Sequence, residues 1–382
     1  MHPTLTEIPF HRPWIAPRAE EYLQQSLASR RWAGNGPFGK RVRRHLSQAF
    51  GGAGIFLTPS CTAALEMSAL LLGLQPGDEV IVPAFTFVST ASAYALVGAR
   101  PVFVDVDPKT LNMDPAGLEA ALSPRTRALV PVHYAGIPCD MKALLDFADQ
   151  HRLEVVEDAA HALYGRHQGR PLGSFGSLAT LSFHETKNVS CGEGGALVVN
   201  RPDWIERAEI AQEKGTDRSK FLMGLIDKYT WVAPGSSYLL SDLNAAVLLA
   251  SLEHAAEVQR QRLHLWNFYQ SELAAWAARW GVQQPHLPLA SEHPAHLYFL
   301  VMERPEHREQ LVVYLRELQI HTAYHYLPLH LSPMGLHYGG RPGQCPVTES
   351  VAYRLVRLPL YAGLGEDEQQ RIVEALLAWS PR

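Results

Sequence analysis

A single lysine stands in a loop between two apolar stretches that are typical of β-strands. The first stretch covers residues 178–183, Lys187 follows it, and a glycine-rich turn at residues 192–195 leads into the second stretch at 196–199. A lysine at the end of a buried strand must be paired or neutralised, because an isolated buried ammonium is costly. A lysine with a lowered pKa can form a Schiff base with a carbonyl compound. Lys187 is therefore a candidate nucleophile, and the alternative is a solvated surface lysine, the commoner role of this residue type.

A turn of small residues follows another β-type stretch and leads directly into a helical pattern. Residues 58–64 read Thr-Pro-Ser-Cys-Thr-Ala-Ala, so Ser60 and Thr62 stand at the start of the helix. The free N–H groups and the positive end of a helix bind anions, and hydroxyl groups add further donors. This pattern indicates an anion-binding turn, although a serine or threonine in this position is often only an N-cap.

Two further strand ends carry groups that suit a planar, charged ligand. Phe87 follows the stretch at residues 79–83, and its ring could either stack on such a ligand or belong to the core. Glu157 and Asp158 follow directly after the buried apolar residues Val155 and Val156, and an ionised carboxylate there needs a cationic partner. A metal ion is the rival partner, but no cysteine or second histidine lies at ligand spacing, so no metal site is expected.

Together these strand ends offer an anion-binding turn, an aromatic ring, a carboxylate and a reactive lysine. Pyridoxal 5′-phosphate requires that combination: a cup for its phosphate, a ring stack, an anion opposite the pyridinium nitrogen and a lysine that forms the Schiff base. The four features therefore predict a pyridoxal-phosphate site with Lys187 as its catalytic residue.

The elements that position these residues alternate between β-type and helical stretches from about residue 50 to residue 200. Several β-type stretches are almost continuously apolar, as in strands that are covered on both faces. The β-type stretches are residues 54–57, 79–83, 101–105, 128–132, 153–157, 178–182 and 196–199. Helical patterns between them include residues 62–72, 115–122 and 141–148. This alternation predicts an α/β fold with a mostly parallel sheet, in which ligands bind at the carboxyl ends of the strands.

The chain changes character after residue 235. A long helical tract covers about residues 241–277, followed by a strand-like run at 296–301 and helices at about 306–318 and 366–379. At 382 residues the chain exceeds a typical single domain. We therefore expect the N-terminal segment and a large domain at residues 1–250, and a smaller α+β domain at residues 251–382, joined by the long helix.

The composition of the chain indicates which macromolecular partners and which cellular location to expect. The net charge is −4 and no long run of one sign occurs, so neither nucleic acid nor an anionic membrane is an expected partner. The four cysteines are scattered and show no paired metal-ligand spacing, which is typical of a reduced, intracellular protein. The sequence shows neither a signal-peptide pattern nor an apolar run of about 20 residues. The expected location is the cytoplasm.

Motifs at these positions resemble those of the DegT/DnrJ/EryC1/StrS sugar aminotransferases, which are fold type I (aspartate aminotransferase-like) pyridoxal-phosphate enzymes. The resemblance covers nearly the whole chain and implies a homodimer with its active site at the subunit interface. The motifs lie at residues 8–10, 34–38, 59–64, 77–83, 130–136, 157–160, 182–188, 192–195, 227–231, 235–238, 325–330 and 357–360.

The resemblance implies a role for each site residue. Lys187 would form the Schiff base and move the proton between cofactor and sugar carbons, Asp158 would pair with the ring nitrogen, and Phe87 would stack on the ring. The other implied cofactor contacts are Thr62, Ala63, His161, Ser182 and Ser237. His161 and Phe87 replace a Gln and a Trp or Tyr that are common in the family, and they keep a hydrogen-bonding group and a ring. Ser237 and Leu239 stand where many relatives carry Asn and Arg, which leaves the cross-subunit phosphate contact open.

The implied reaction moves an amino group from L-glutamate to C4 of a nucleotide-linked 4-keto-6-deoxy sugar. The resemblance favours the conversion of dTDP-4-dehydro-6-deoxy-D-glucose to dTDP-4-amino-4,6-dideoxy-D-galactose, for cell-surface polysaccharide synthesis. Candidate sugar contacts are Asn35, Lys228, Tyr229, Tyr324, His325 and Tyr326. Several of these are of types that often pack in a core instead.

Three alternatives remain beside this reaction. The chain could act on a different nucleotide-keto sugar, could be a sugar dehydratase, or could be a non-catalytic regulator on the same fold. The related dehydratases carry histidine in place of the Schiff-base lysine, so Lys187 disfavours that activity. A regulator has no need of Lys187, Asp158 and Ser182 together, so an aminotransferase is the favoured interpretation.

Overall fold

Strands and helices alternate along the computed structural model, which describes residues 6–381. The strands are β1 (Gly54–Thr58), β2 (Glu79–Pro83), β3 (Arg100–Val104), β4 (Thr126–Leu129), β5 (Glu154–Asp158), β6 (Arg166–His167), β7 (Arg170–Pro171), β8 (Leu178–Ser182), β9 (Gly195–Val199), β10 (Ser291–Glu292), β11 (Tyr298–Val301) and β12 (Leu355–Leu358). The helices are α1 (Ala19–Ser29), α2 (Pro37–Ala49), α3 (Cys61–Leu72), α4 (Ser89–Leu96), α5 (Leu118–Ala121), α6 (Met141–His151), α7 (Ile205–Gln212), α8 (Arg218–Leu222), α9 (Asp242–Glu253), α10 (Ala255–Glu272), α11 (Ala274–Trp280), α12 (Pro305–Glu317), α13 (Pro333–His337), α14 (Pro346–Ala352) and α15 (Glu366–Ala378). None of these helices combines the length and the apolar character that a membrane crossing requires.

The main sheet has seven strands in the order β1-β9-β8-β5-β4-β2-β3. Neighbouring strands from β8 to β3 are parallel, and β9 runs antiparallel to both β1 and β8. Every β-type stretch expected between residues 54 and 199 contributes a strand to this sheet, and most of their side chains are buried. The predicted α/β fold with a mostly parallel sheet is confirmed.

The register of the sheet brings two site residues to one edge. β5 and β8 pair in parallel, with Asp158 opposite Thr180. Ser182 at the end of β8 pairs with Gly195 at the start of β9, so the loop that carries Lys187 leaves the sheet where β5 also ends. The carboxyl ends of parallel strands share an edge, and loops at this edge bind ligands in folds of this class.

Gly195 allows helix α3 to begin directly against the sheet. A Cβ atom at Gly195 would lie 2.4 Å from the carbonyl carbon of Ser60 and 2.5 Å from the backbone nitrogen of Cys61, the first residue of α3. Gly195 also pairs with both Thr58 of β1 and Ser182 of β8. The start of α3 can therefore approach β9 this closely only because residue 195 has no side chain.

The helical tract expected at residues 241–277 is three helices rather than one long connecting helix. The helical geometry is interrupted at His254, between α9 and α10, and at Leu273, between α10 and α11. The Nδ1 atom of His254 lies 2.9 Å from the carbonyl oxygen of Ala250. A side chain that binds this carbonyl competes with the backbone N–H of a continuing helix. Neither break contains glycine or proline, so the tract reads as continuous in the sequence.

Buried apolar side chains form separate clusters on the main sheet and in the C-terminal part of the described chain. Helix α10 contributes to both kinds of cluster: Ala255 at its start belongs to a cluster on the sheet, and Leu265 belongs to the C-terminal cluster. Ile8 also belongs to the C-terminal cluster and pairs with Ile320. The division at residue 250 stays a prediction, which the change of cluster supports, and the N-terminal segment contacts the C-terminal part as well.

We expect Gly195→Ala to destabilise the protein by about 1–3 kcal/mol, the usual cost of overpacking, and to lower its thermal unfolding midpoint. The matched control is Gly117→Ala, because a Cβ atom at Gly117 meets nothing nearer than the Cβ of Val104 at 3.9 Å. Calorimetry of the two variants should show a lower midpoint for Gly195→Ala alone. Equal midpoints would contradict a tight contact between β9 and α3.

Candidate active site

A cavity of about 640 Å³ lies at this edge of the sheet, and both the main sheet and the C-terminal part line it. From the sheet come the segments that follow β1, β2, β5 and β8. The lining side chains from these segments include Cys61, Thr62, Thr86, Phe87, Ser89, Asp158, His161, Ser182 and Lys187. Those from the C-terminal part include His296, His325, Tyr326 and Arg357. The cavity therefore gathers most of the residues that the sequence singles out.

Lys187 reaches the cavity from a loop that backbone hydrogen bonds hold closed. The N–H of Phe183 donates to the carbonyl of Gly194 at 2.8 Å, and the N–H of Cys191 donates to the carbonyl of Phe183 at 3.0 Å. The N–H of Lys187 donates to the carbonyl of His184 at 2.9 Å. These bonds fix where the lysine side chain leaves the backbone, which is a requirement for a nucleophile that acts on a bound carbonyl.

The environment of Lys187 favours a neutral amine. Burial lowers its pKa to about 8, and the charge of Arg357 acts in the same direction, whereas Cys61 and Asp158 oppose the shift. An amine attacks a carbonyl only in its neutral form, so the lowered pKa makes Lys187 a better nucleophile at moderate pH than a solvated lysine. This shift supports the role expected for Lys187.

Asp158 ends β5 as a buried carboxylate with fixed orientation. Its Oδ2 atom accepts a hydrogen bond from Thr90 Oγ1 at 2.8 Å, and its Oδ1 atom accepts one from the N–H of Ala160 at 3.2 Å. Thr86 Oγ1 lies 2.8 Å from Thr90 Oγ1 and so donates to it, because the Thr90 proton points to Asp158. Burial raises the pKa of Asp158, while these bonds and the charge of Lys187 oppose the rise. A nearby cation would hold this carboxylate ionised.

Hydroxyl groups converge beside the N-terminus of α3. Thr62 Oγ1 lies 2.8 Å from Ser89 Oγ, and both side chains line the cavity together with Ser60 and Ser182. Ser60 is the N-cap of α3, and its Oγ accepts the N–H of Ala63 at 3.1 Å. Hydroxyls and a helix N-terminus together form a suitable cup for a phosphate group.

Phe87 presents its ring to the cavity without being packed in the core. The side chain is 57% exposed, and the centroid of its ring lies 6.3 Å from that of Tyr326. A large aromatic ring that remains exposed at the wall of a cavity is available to stack on a planar ligand. The structure thus favours the stacking interpretation of Phe87 over the core interpretation.

Three histidine rings form a neutral cluster at the cavity. The ring of His161 lies 4.3 Å from that of His296 and 6.1 Å from that of His325, and it is nearly parallel to the latter at 6°. Burial lowers the pKa of all three side chains. The N–H of Ala135 donates to Nδ1 of His161 at 3.3 Å, so the neutral ring carries its proton on Nε2. His161 can therefore offer a hydrogen-bond donor to a ligand without adding a charge.

Asn188 ties the lysine loop to the C-terminal part. Its Nδ2 donates to the carbonyl of Pro294 at 2.7 Å, and its Oδ1 accepts from Nδ1 of His296 at 3.0 Å. The residue next to Lys187 is thus anchored to the segment that leads into β11. No local motif predicts these contacts, because Pro294 and His296 lie more than a hundred positions from Asn188 in the sequence.

Six of the expected site residues do not line the cavity formed by the described chain, and Asn35, Lys228, Tyr229 and Ser237, all exposed, are four of them. Asn35 donates from Nδ2 to Glu213 Oε1 at 3.3 Å, and Ser237 forms a backbone bridge with the same Glu213. The ring of Tyr229 contacts that of Phe221. The side chain of Lys228, the fourth of these residues, is exposed. The site role expected for each of these four residues stays a prediction.

The remaining expected residues divide by their position. His325 and Tyr326 line the cavity, with their rings stacked at 4.0 Å. Tyr324 does not line it: its ring lies under the guanidinium of Arg308. Ala63 also lies behind the lining, with its N–H directed to Ser60. The contacts expected of Tyr324 and Ala63 therefore stay predictions.

The donor set of the cavity fits pyridoxal 5′-phosphate. The hydroxyls beside α3 suit its phosphate, Asp158 suits a protonated ring nitrogen, Phe87 suits the ring face and Lys187 suits the aldehyde. The buried carboxylate is the discriminating feature, because it requires a cationic partner that the ring nitrogen can provide. The fold and the site define a fold type I pyridoxal-phosphate enzyme.

Known proteins resemble the chain over almost its whole length. Residues 14–377 match the DegT/DnrJ/EryC1/StrS aminotransferase family. The spore coat polysaccharide biosynthesis protein SpsC of Bacillus subtilis (strain 168) is 33% identical over 377 residues, which cover 97% of this chain and 96% of SpsC.

Two solved structures illustrate the similarity of fold. The PLP-form of Spr1654 from Streptococcus pneumoniae has a TM-score of 0.90 at 28% identity, covering 97% of this chain and 98% of its own. The sugar aminotransferase CalS13 from Micromonospora echinospora has a TM-score of 0.88 at 28% identity, covering 97% and 100%.

The chain belongs to the DegT/DnrJ/EryC1/StrS aminotransferase family. The family, the fold and the cofactor that the sequence predicts are thereby confirmed. Ser89, His296, Asn188 and Arg357 at or beside the site were not identified as site residues from the sequence. Asn188 and Arg357 lie within family-like motifs, which are the sequence signal for these two positions.

We expect Lys187→Ala, purified with pyridoxal 5′-phosphate, to lack the yellow absorbance of a cofactor bound through a lysine. In the unsubstituted protein, borohydride should attach the cofactor to the peptide that contains Lys187, as peptide mass spectrometry can detect. Lys142→Ala is the control, because Lys142 is exposed and pairs with Asp146. A borohydride-reducible yellow colour in Lys187→Ala would show that another lysine is the nucleophile.

We expect the amine of Lys187 in the cofactor-free protein to become reactive through a midpoint near pH 8, because burial lowers its pKa to about 8 and only the deprotonated amine reacts. The measurement is acetylation by acetic anhydride over a pH series, followed by peptide mass spectrometry. Lys142, whose pKa is raised by Asp146, should remain unreactive to higher pH. A midpoint for Lys187 at the ordinary value of 10.5 would contradict the burial effect.

Proposed function

We propose that this aminotransferase transfers an amino group from L-glutamate to C4 of a nucleotide-linked 4-keto-6-deoxy sugar. The observation that carries the proposal is the pair formed by Lys187 and Asp158 at one edge of the sheet, in a cavity large enough for a cofactor and a sugar. The family supports amino transfer, and relatives named as a sugar aminotransferase and a polysaccharide biosynthesis protein support a sugar acceptor.

The residues of the chain divide the work around the cofactor. When bound, pyridoxal 5′-phosphate supplies an aldehyde that accepts the amino group and a ring that takes up electrons from the substrate carbon. Thr90 and Ala160 hold the carboxylate of Asp158, which would pair with the protonated ring nitrogen. Phe87 would stack on the ring. The hydroxyls of Thr62, Ser89 and Ser182 would bind the phosphate beside α3.

Lys187 acts first as a nucleophile and then as a proton carrier. Its lowered pKa favours a neutral amine, which can accept a proton and so carry it between the substrate carbon and the cofactor carbon. The neutral His161 offers its Nε2 proton as a donor at the same cavity. Because the imidazole is uncharged, this contact orients a ligand oxygen without competing with the cation that Asp158 needs.

The specific acceptor that we propose is dTDP-4-dehydro-6-deoxy-D-glucose, which makes the chain a dTDP-4-amino-4,6-dideoxygalactose transaminase for cell-surface polysaccharide synthesis. His325 and Tyr326, which line the cavity, are the proposed sugar contacts within the same chain. A cytoplasmic location suits this proposal, because the four cysteines are free thiols.

A second copy of the chain would complete the site. The segment at residues 221–232, which begins at the end of α8, exposes many large apolar side chains, which is typical of a surface that a partner covers. Exposed residues of this region are Phe221, Leu222, Met223, Leu225, Tyr229, Trp231 and Val232. We propose a homodimer in which this segment brings Lys228, Tyr229 and Ser237, together with Asn35, to the partner's cavity.

The proposed reaction can be tested with purified protein, pyridoxal 5′-phosphate, L-glutamate and a panel of nucleotide-linked 4-keto sugars. We expect amination of dTDP-4-dehydro-6-deoxy-D-glucose, with the galacto configuration of C4 established by NMR and the mass of the product by mass spectrometry. Lys187→Ala is the matched inactive control. Amination of a different nucleotide sugar alone would overturn the proposed acceptor, and amination of none would overturn the proposed sugar aminotransferase.

A further inference from the structure

Arg262 is a buried arginine of α10 whose guanidinium binds backbone carbonyls instead of an acid. The residue is 3% exposed, its Nε donates to the carbonyl oxygen of Ala295 at 3.0 Å, and its Nη2 donates to that of His296. No ion pair joins Arg262 to an Asp or Glu among residues 6–381, and burial lowers its pKa to about 9. Because a buried charge is costly without partners, these charge-assisted hydrogen bonds hold the guanidinium and the two carbonyls together.

The two carbonyls belong to a strained segment, residues 293–296, that leads towards β11. Ala295 has a φ of 47°, a left-handed conformation that a residue with a side chain keeps only where its surroundings hold it. Its N–H donates to Nδ1 of His293 at 3.2 Å, and its carbonyl accepts from Arg262. Arg262 thus fixes this bend from outside the segment.

The same segment contacts the loop that carries Lys187. The carbonyl of Pro294 accepts a hydrogen bond from Nδ2 of Asn188 at 2.7 Å, and Nδ1 of His296 donates to Oδ1 of Asn188 at 3.0 Å. Asn188 therefore uses both ends of its amide on a segment that Arg262 fixes. A continuous set of hydrogen bonds leads from α10 through residues 293–296 to the neighbour of Lys187.

Arg262 also acts on the charge state of His296. Burial lowers the pKa of His296, and the charge of Arg262 acts in the same direction. The neutral ring of His296 lies 4.3 Å from that of His161, which lines the cavity. The lysine loop thus receives a hydrogen bond from His296 without a further positive charge near Lys187.

The influence of Arg262 on Lys187 is one of position. The charges that shift the pKa of Lys187 are those of Cys61, Asp158 and Arg357. The guanidinium of Arg262 is absent from this set, so its removal leaves the direct electrostatics of the amine unchanged. Removal of Arg262 therefore alters Lys187 only if the lysine loop moves.

We propose that Arg262 is a positioning residue for Lys187: it fixes residues 293–296, and Asn188 transmits that position to the lysine. This inference rests on the role proposed for Lys187 and not on the identity of the sugar. Without Arg262, the carbonyls of Ala295 and His296 lose their partner and the segment relaxes. The amine of Lys187 then moves and becomes better hydrated.

The test compares Arg262→Met, Arg262→Lys and the control Arg354→Met. Arg262→Met removes the guanidinium and keeps an unbranched apolar side chain. Arg262→Lys keeps the charge but loses the planar fork that spans two carbonyls. Arg354 likewise donates to a carbonyl of the C-terminal part, from Nη1 to that of Met302 at 3.3 Å, and it does not line the cavity of the described chain.

The measurement is the acetylation midpoint of Lys187 over a pH series in the cofactor-free protein, with the exposed Lys142 as internal reference. We expect Arg262→Met to raise the midpoint from near pH 8 by about one unit, because hydration favours the ammonium. Arg262→Lys should give a smaller rise, and Arg354→Met none. An unchanged midpoint in Arg262→Met, or an equal rise in Arg354→Met, would overturn the proposal.

A double-variant comparison tests the path through Asn188. Asn188→Ala alone should raise the midpoint of Lys187 as well, and Asn188→Ala combined with Arg262→Met should shift it no further than the larger single change. Additive shifts would show that Arg262 does not act through Asn188. Thermal unfolding midpoints identify any variant that fails to fold. If Arg262→Met is one of these, Arg262→Lys decides the test, and an unchanged midpoint in it overturns the proposal.

A second readout uses the cofactor-loaded protein. The rate at which L-glutamate removes the yellow colour should fall about 10- to 100-fold in Arg262→Met, because a displaced nucleophile loses the advantage of orientation. The same rate should be unchanged in Arg354→Met. Equal rates in the two variants would contradict a positioning role for Arg262.

The failure of the proposed function can be separated from the failure of this inference, because acetylation requires neither cofactor nor substrate. If the midpoint of Lys187 rises in Arg262→Met while no sugar is aminated, Arg262 retains its role and the proposed acceptor is wrong. If sugar is aminated but the midpoint is the same in Arg262→Met and Arg354→Met, Arg262 has no such role.

Discussion

The parallel pairing of β5 with β8 is the constraint on which the site depends. Asp158 lies opposite Thr180 in this ladder, and the loop with Lys187 begins just beyond β8. A slip of one residue would turn the side chains of β5 to the opposite faces of the sheet and move Asp158 away from the cavity. Burial on both faces specifies the register, because any slip would also misplace the apolar neighbours of Asp158, such as Val156. Packing of the core therefore determines the relative position of carboxylate and amine.

The same burial that builds the core sets the electrostatics of the site. It lowers the pKa of Lys187 and raises that of Asp158, while each charge opposes the shift of the other. When Lys187 is neutral, Asp158 loses a favourable charge that a protonated ring nitrogen can replace. The hydrogen bond from Thr90 keeps the carboxylate oriented in either state. The cavity is thus suited to a cationic ring next to a neutral amine, which is the arrangement that pyridoxal-phosphate chemistry requires.

The C-terminal part contributes a different kind of group. The main sheet supplies the residues proposed to hold the cofactor, whereas His325 and Tyr326, which are proposed to hold the sugar, come from beyond residue 300. Asn188 joins the two, because its amide contacts Pro294 and His296. On this arrangement, a change in the packing of the C-terminal part would alter substrate binding and the position of the lysine loop together.

The sequence by itself determines those features whose signal is local. Apolar runs and the turns after them predict the strands of the main sheet, and the polar residues at their ends identify Lys187, Asp158 and Phe87. Local signals do not reveal the breaks at His254 and Leu273, since neither carries a glycine or a proline. They also do not bring Ser89, His296 or Arg357 to the cavity. Only the tertiary structure does so, because these residues reach the site through contacts between segments that are distant in the sequence. The burial that shifts the pKa values of the site residues also exists only once both parts of the chain have packed together.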